Sequence, residues 1–284
     1  MKIARFENGG HSRIGLCLET GIVDLGRHLP DAPITMTGLM EAWPRIASGV
    51  ADLEAGPADF AYGDVRLLAP VERPGKIMIQ GLNYADHAKE AGMELPAEQM
   101  WVAKAVTSLN APNGDIQLPL VSEQLDYEGE LVIVIGQRAK HVTREEARSV
   151  IFGYCVGNDL SVRDWQFKTS QFLLGKSFDT TAPVGPWIVT ADAIDPHRLP
   201  IRCSVNGELR QSSNTSHFIF DCFDMVSYLS RAVTLEPGDL IFTGTPDGVG
   251  AVMKPPRWLK EGDIVRTEID GIGAIENRIV AERR

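Results

Sequence analysis

Several kinds of segment are missing from this chain, and each absence removes a class of function. No apolar run approaches the roughly 20 residues a helix needs to cross a bilayer, so no membrane-spanning helix is expected. Positive charge is in deficit: 28 Lys and Arg stand against 38 Asp and Glu, a formal net charge of -10. That is the opposite of the basic stripe carried by nucleic-acid binders. The leading residues MKIARFENGG hold no apolar stretch of the kind a secretory leader needs. The expectation is a cytoplasmic protein that works on neither nucleic acid nor a membrane. Cysteine is scarce and unpatterned. Cys17, Cys155, Cys203 and Cys222 show neither C-x-x-C nor zinc-finger spacing and read as free thiols. Internal repeats and low-complexity tracts are also lacking. What is left, 284 residues of which 44% are hydrophobic and 23% charged, is the composition of an ordinary globular chain with a sizeable core.

The pattern changes once along the chain. Residues 1–70 alternate short strand-like pieces (GLCLETGIVDL) with a helical patch (MTGLMEAWPRIASGVADL), and LLAPVERPGK then supplies the prolines and glycine of a boundary. This predicts a small N-terminal α+β domain over 1–70 and a second domain over 71–284. The second reads as many short strands with Gly and Pro punctuation, including KIMIQGLN, ELVIVIG, VGPWIVT, IRCSVNGEL, DLIFTG and DIVRTEIDGIG. The fold class is therefore strand-rich α+β. One helix is announced by Thr143 and Glu146 in VTREEARSVIFGY, a capping box ahead of an apolar run.

Chemistry enters at QLDYEGELVIVIG. The aliphatic run Leu131–Ile135 has no polar alternation, which marks a strand covered on both faces. Glu128 and Glu130, two apart, point to the same face at its entrance. Two carboxylates beside low-dielectric surroundings must be paired, protonated or bound to a cation. A third acid, Asp159, follows the apolar FGYCVGN and opens a polar cluster with Arg163, Asp164 and Gln166. Three carboxylates suit a hard divalent cation, Mg2+, Mn2+ or Ca2+, whereas zinc would want histidine or thiolate nearby.

Six blocks then occur in a fixed order: GLNYADHAKE, LDYEGELVIVIG, GYCVGNDLSVRDWQ, GKSFDTTAPVGPWIV, VNGELRQSSNTSHFIF and LEPGDLIFTGTPDGVG. Together they closely resemble the fumarylacetoacetate hydrolase family from about residue 71 to the C-terminus. The resemblance implies a mixed β-sandwich or β-roll catalytic domain, a homodimer, and a divalent metal, Mg2+ in the first place, held by three carboxylates that match Glu128, Glu130 and Asp159. It implies catalytic roles for His87, Glu90 and Lys176. The first two lie three apart, on one face of a helix that closes over substrate, with Glu90 orienting the imidazole as it takes a proton from water. Lys176 would stabilise negative charge as a carbon–carbon bond breaks. Arg163 and Gln166 match donors to a substrate carboxylate or carbonyl, the plainer alternative for Arg163 being an ion pair with Asp164. The resemblance also implies substrate-binding roles for Thr245, between Gly244 and Pro246, and for Tyr84 and Lys104, while Asn214 matches a further polar position of the blocks.

The implied reaction is hydrolytic. A 2-oxo acid that chelates the metal becomes an electron sink, and water attack on the remote carbonyl of a 2,4-dioxo acid splits it into a 2-oxo acid and a carboxylic acid. The same residues could instead decarboxylate oxaloacetate, isomerise an unsaturated 2-oxo acid or cleave a ureidoglycolate. A non-catalytic binding protein would show an eroded site, and every one of these residues is present. GKSFDTTAPVGPWIVTADAIDP and KPPRWLKEGDIVRTEIDGIG look most like bacterial hydrolases of acylpyruvates and 2,4-dioxo-3-deoxy sugar acids. One departure stands out: MWVAKAVTSLNAPNGDI keeps Lys104 without the prolines that often follow it. Substrate size is expected to depend on Met93, Leu95 and Trp101.

Overall fold

The computed structural model describes residues 1–90, 92 and 94–283, with residue 88 described through its backbone only. The architecture is strand-rich α+β. An eleven-stranded sheet runs Gly21–Asp24, His11–Leu18, Lys2–Asn8, Ala182–Thr190, Ile151–Asn158, Gly129–Ile135, Leu240–Phe242, Ile77–Gly81, Met100–Lys104, with two short strands off this path. Neighbours are antiparallel along it except Leu240–Phe242 with Ile77–Gly81. A five-stranded sheet, built on the hairpin Pro200–Val205/Glu208–Asn214 and on Ile264–Ile269 and Gly273–Ala281, packs against it.

Gly129–Ile135 is buried along its whole length. Its alternation explains why it reads as continuously apolar. Val132 and Val134 join one core with Ile77, Ile79 and Phe242, while Leu131, Ile133 and Ile135 join another with Tyr154, Met225 and Ile269. Both faces of the strand are thus covered.

The N-terminal residues are tied into this sheet. Lys2 and Ile3 pair with Val189 and Ile188, and Ile3, Leu16, Leu39 and Met40 share the core of Val132 and Val134. The helical patch forms Met36–Asp52, capped by the Thr35 side chain.

The capping box forms as the sequence predicts: the Thr143 hydroxyl accepts from the Glu146 N–H at 3.2 Å, and the Glu146 carboxylate accepts from the Thr143 N–H at 2.8 Å. The helix Arg144–Val150 is shorter than the apolar run, because Ile151–Asn158 leaves it to become a central strand. Its β-branched and aromatic residues pack better on a pleated surface than on a helix. Thr143→Ala should cost about 1 kcal/mol, read as a fall in midpoint in urea unfolding with the m-value unchanged. An unchanged midpoint would show the cap to be redundant. Among the described residues no helix is long and apolar enough to cross a membrane.

Candidate active site

The acids stand where two central strands end. Glu130 lies at the start of Gly129–Ile135, Glu128 just before it, and Asp159 just after Ile151–Asn158, whose Asn158 pairs with Gly129. Their ligand oxygens lie within 4.8 Å of one another, and all three residues are buried.

The three carboxylates differ in their partners. Glu128 meets Lys176 Nζ and Arg163 Nη1, each at 2.6 Å. Burial alone would raise its carboxyl, but these two cations hold it well below the usual range. Asp159 accepts from Lys104 Nζ at 2.7 Å and Lys176 Nζ at 2.6 Å. Glu130 accepts one bond, from the Gly244 N–H at 2.7 Å, and its Oε1 is buried with no hydrogen-bond partner. Burial, then the charges of Asp159 and Glu128, push the Glu130 carboxyl well above its ordinary value.

An unpartnered buried acceptor beside two further carboxylates is the donor set of a hard divalent cation, so the residues fit the metal. The charge count agrees. With all four ionised, the buried acids, counting Asp126, carry one charge more than the three buried bases, Lys104, Arg163 and Lys176. A divalent cation turns that net negative charge into a net positive one, the sign that attracts an organic anion.

Close packing delivers the bases. A Cβ on Gly175 would lie 2.3 Å from the Gln166 nitrogen, so only glycine lets Leu173–Lys176 approach Arg163–Gln166 and carry Lys176 to the acids. Gly244, at φ +95, likewise leaves its N–H free for Glu130.

A cavity of about 250 Å³ opens onto this cluster. Its polar wall carries His87, Glu128, Glu130, Arg163, Gln166, Lys176 and Thr245. Its apolar wall includes Met100, Val102, Phe167, Phe172, Val249 and Val252.

Several residues sit differently from the expectation. Glu90 does not hydrogen-bond His87: its Oε2 is 3.6 Å from Nδ1, while both carboxylate oxygens accept from the Gly248 N–H at 3.1 and 3.0 Å. Arg163 pairs with Asp126 and Glu128 rather than with Asp164, which accepts from the Ser122 hydroxyl. Lys104 is bonded to Asp159 and the Leu160 carbonyl and is not among the cavity-lining residues. Tyr84 is fully buried beneath Phe218, with ring centroids 5.0 Å apart. Asn214 caps a short helical turn by accepting from the Ser216 N–H. Thr245 lines the cavity while donating to the Gly129 carbonyl. Met93 lies outside the described residues.

Comparison with known proteins agrees with this geometry. The family described as fumarylacetoacetate (FAA) hydrolase C-terminal matches residues 76–280. The Xenopus laevis protein "Oxaloacetate tautomerase fahd2, mitochondrial" is 41% identical over 288 residues, covering 99% of this chain and 90% of the relative. Fumarylacetoacetate hydrolase from Exiguobacterium antarcticum superposes with a TM-score of 0.88 at 39% identity, covering 99% of this chain and 100% of that one. Maleylpyruvate hydrolase from Sphingobium sp. SYK-6, solved with manganese(II) and pyruvate, superposes with a TM-score of 0.83 at 32% identity, covering 100% of both chains. In matched segment, fold and buried acidic centre alike, the chain belongs to the fumarylacetoacetate hydrolase family.

Proposed function

We propose that the chain is a divalent-metal-dependent enzyme that enolises a 2-oxo acid, and that its reaction is keto–enol tautomerisation of oxaloacetate or a close analogue. The observation that carries the reading is the unpartnered Glu130 Oε1 in a cluster of three buried carboxylates, two of which, Glu128 and Glu130, line a cavity that also holds His87. Likeness over nearly the whole chain to a protein called an oxaloacetate tautomerase favours tautomerisation over the hydrolysis expected from the motifs.

A cation held by Glu128, Glu130 and Asp159, most simply Mg2+ or Mn2+ for an all-oxygen set, would supply Lewis-acid polarisation of the 2-oxo group. Lys176 Nζ, fixed 2.6 Å from both Glu128 and Asp159, adds positive charge beside the oxygen where negative charge develops. Gln166 accepts from Arg163 through Oε1, which leaves its NH2 to donate into the cavity. In the ketonising direction His87 delivers a proton to the carbon next to the oxo group while the enol hydroxyl gives one up. The enol proton released restores the His87 proton directly or through solvent, and no oxygen of water enters the product.

A second reading keeps the same residues and has His87 take a proton from water, cleaving an acylpyruvate. The apolar wall of Met100, Val102, Phe167 and Phe172 favours it, since it would seat an acyl substituent. Homodimeric assembly, which the resemblance implies, and a cytoplasmic location belong to the proposal but do not enter the chemistry.

The test is to follow enol-oxaloacetate absorbance, with an acylpyruvate, fumarylpyruvate and a 2,4-dioxo-3-deoxy sugar acid alongside, in Mg2+, Mn2+ and EDTA. Metal-dependent loss of the enol with neither carbon dioxide nor pyruvate released is the expected result. Pyruvate plus a carboxylic acid from a diketo acid, with the enol untouched, would replace it by the hydrolase. Carbon dioxide would indicate a decarboxylase.

A further inference from the structure

The run D-Y-E-G-E carries another carboxylate, Asp126, at the spacing that separates Glu128 from Glu130. It is fully buried, yet its surroundings are the reverse of Glu130's. Oδ1 accepts from the Gly250 N–H at 2.8 Å and the Tyr127 N–H at 2.9 Å. Oδ2 accepts from Arg163 Nε and Nη2, both at 2.9 Å, and from the Ala251 N–H at 3.0 Å. Five donors occupy its acceptor sites and leave nothing for a cation. Asp126 is therefore a structural anion set two residues from a metal-binding one.

Four of these five donors come from two separate walls of the cavity. The first is the Arg163–Gln166 helix. With Nε and Nη2 on Asp126, Arg163 extends Nη1 to Gln166 Oε1 at 2.9 Å and to Glu128 Oε1 at 2.6 Å. A guanidinium only donates, so Gln166 must offer it Oε1 and turn its NH2 the other way. The second wall is the segment 248–252, from which Val249, Ala251 and Val252 line the cavity. Its Gly248 carbonyl accepts from the Tyr127 hydroxyl at 3.0 Å, and its Gly248 N–H holds Glu90.

We infer that Asp126 is a positioning residue: it holds the Arg163–Gln166 helix and the 248–252 segment in register across the cavity, and through Arg163 it sets the amide of Gln166 that meets substrate. Buried partners of this kind, one step behind the groups that touch a ligand, typically contribute 10- to 100-fold. The part that concerns substrate rests on the 2-oxo acid reading; the part that concerns the two walls does not.

Asp126→Asn tests both. The substitution keeps Oδ1 and places an NH2 donor against the three N–H groups that faced Oδ2. KM should rise by about 10- to 100-fold with kcat changing far less. In a Gln166→Ala background the same exchange should change KM by no more than about 2-fold, the scatter of uncoupled sites. An equal penalty in both backgrounds would overturn the route through Gln166. Amide hydrogen exchange should accelerate in both 163–166 and 248–252, with no change in Asp164→Asn, whose carboxylate serves Ser122. Unchanged exchange would overturn the inference whatever the substrate. If no 2-oxo acid were turned over, the proposed function would fail and exchange alone would decide this point. Should Asp126→Asn not fold, Asp126→Glu, which keeps the charge one methylene further out, is read in the same way.

Discussion

His87→Ala should lower kcat by about 10²- to 10⁴-fold, the usual contribution of a positioned acid or base, while Mn2+ binding is retained. Among the titratable groups on the cavity wall the others are committed. Glu128 and Glu130 belong to the proposed cation set, Lys176 is held between Glu128 and Asp159, and Arg163 is spent on Asp126, Glu128 and Gln166. The imidazole is not committed: its Nδ1 is buried without a hydrogen-bond partner, and its side chain reaches the cavity. Neutral imidazole carries one donor and one acceptor nitrogen, so it can both take and return a proton. Electron paramagnetic resonance titration of free Mn2+ would report metal affinity, and decay of the enol would report kcat. A variant within 10-fold of the parent would remove His87 from the proton transfer, and lost Mn2+ affinity would place it in the metal set instead.

Glu130→Gln should abolish metal binding and sharply lower turnover. The amide keeps an acceptor for the Gly244 N–H but loses the charge and sets a donor among the acids that face the cation. In the parent, Mn2+ at 100 times its dissociation constant should stabilise the fold by about 2.7 kcal/mol, a rise of several degrees in the unfolding midpoint that EDTA cancels. The variant should unfold near the parent temperature in EDTA and gain nothing from Mn2+. Losing Lewis-acid stabilisation worth several kcal/mol corresponds to a fall in kcat/KM of about 10³-fold. A full metal-induced rise in the variant would show that Glu130 is not a ligand and that its unpartnered Oε1 needs another explanation.

Features legible in the sequence share one physical property: they are written in neighbouring residues. The aliphatic run Leu131–Ile135 carries its own evidence of two covered faces, and the Thr143–Glu146 box closes across one turn. Glu128 and Glu130 are brought together by strand alternation alone. Asp159 is different in kind: it joins them because Ile151–Asn158 pairs antiparallel to Gly129–Ile135, and only the apolar segment before it signalled the place. Asp126 was missed in the sequence although it stands in a D-x-E-x-E spacing with Glu128 and Glu130, because spacing cannot separate a ligand from a structural anion. The five donors that distinguish it come from Tyr127, Arg163, Gly250 and Ala251, and three of those residues are remote in sequence.

The sequence by itself determined the strand-rich class, the capped helix, the acids and the family. Tertiary structure alone decided which charge meets which. It turned Arg163 from Asp164 to Asp126, set Lys104 against Asp159, and bound Glu90 to the Gly248 amide rather than to His87. It also stopped the Arg144–Val150 helix early, since Ile151–Asn158 had a central place in the sheet to fill. The reason is range. Periodicity and capping are settled within a turn or two of chain. The partner of a buried charge is whatever the fold brings within hydrogen-bonding distance, and residue order does not record it.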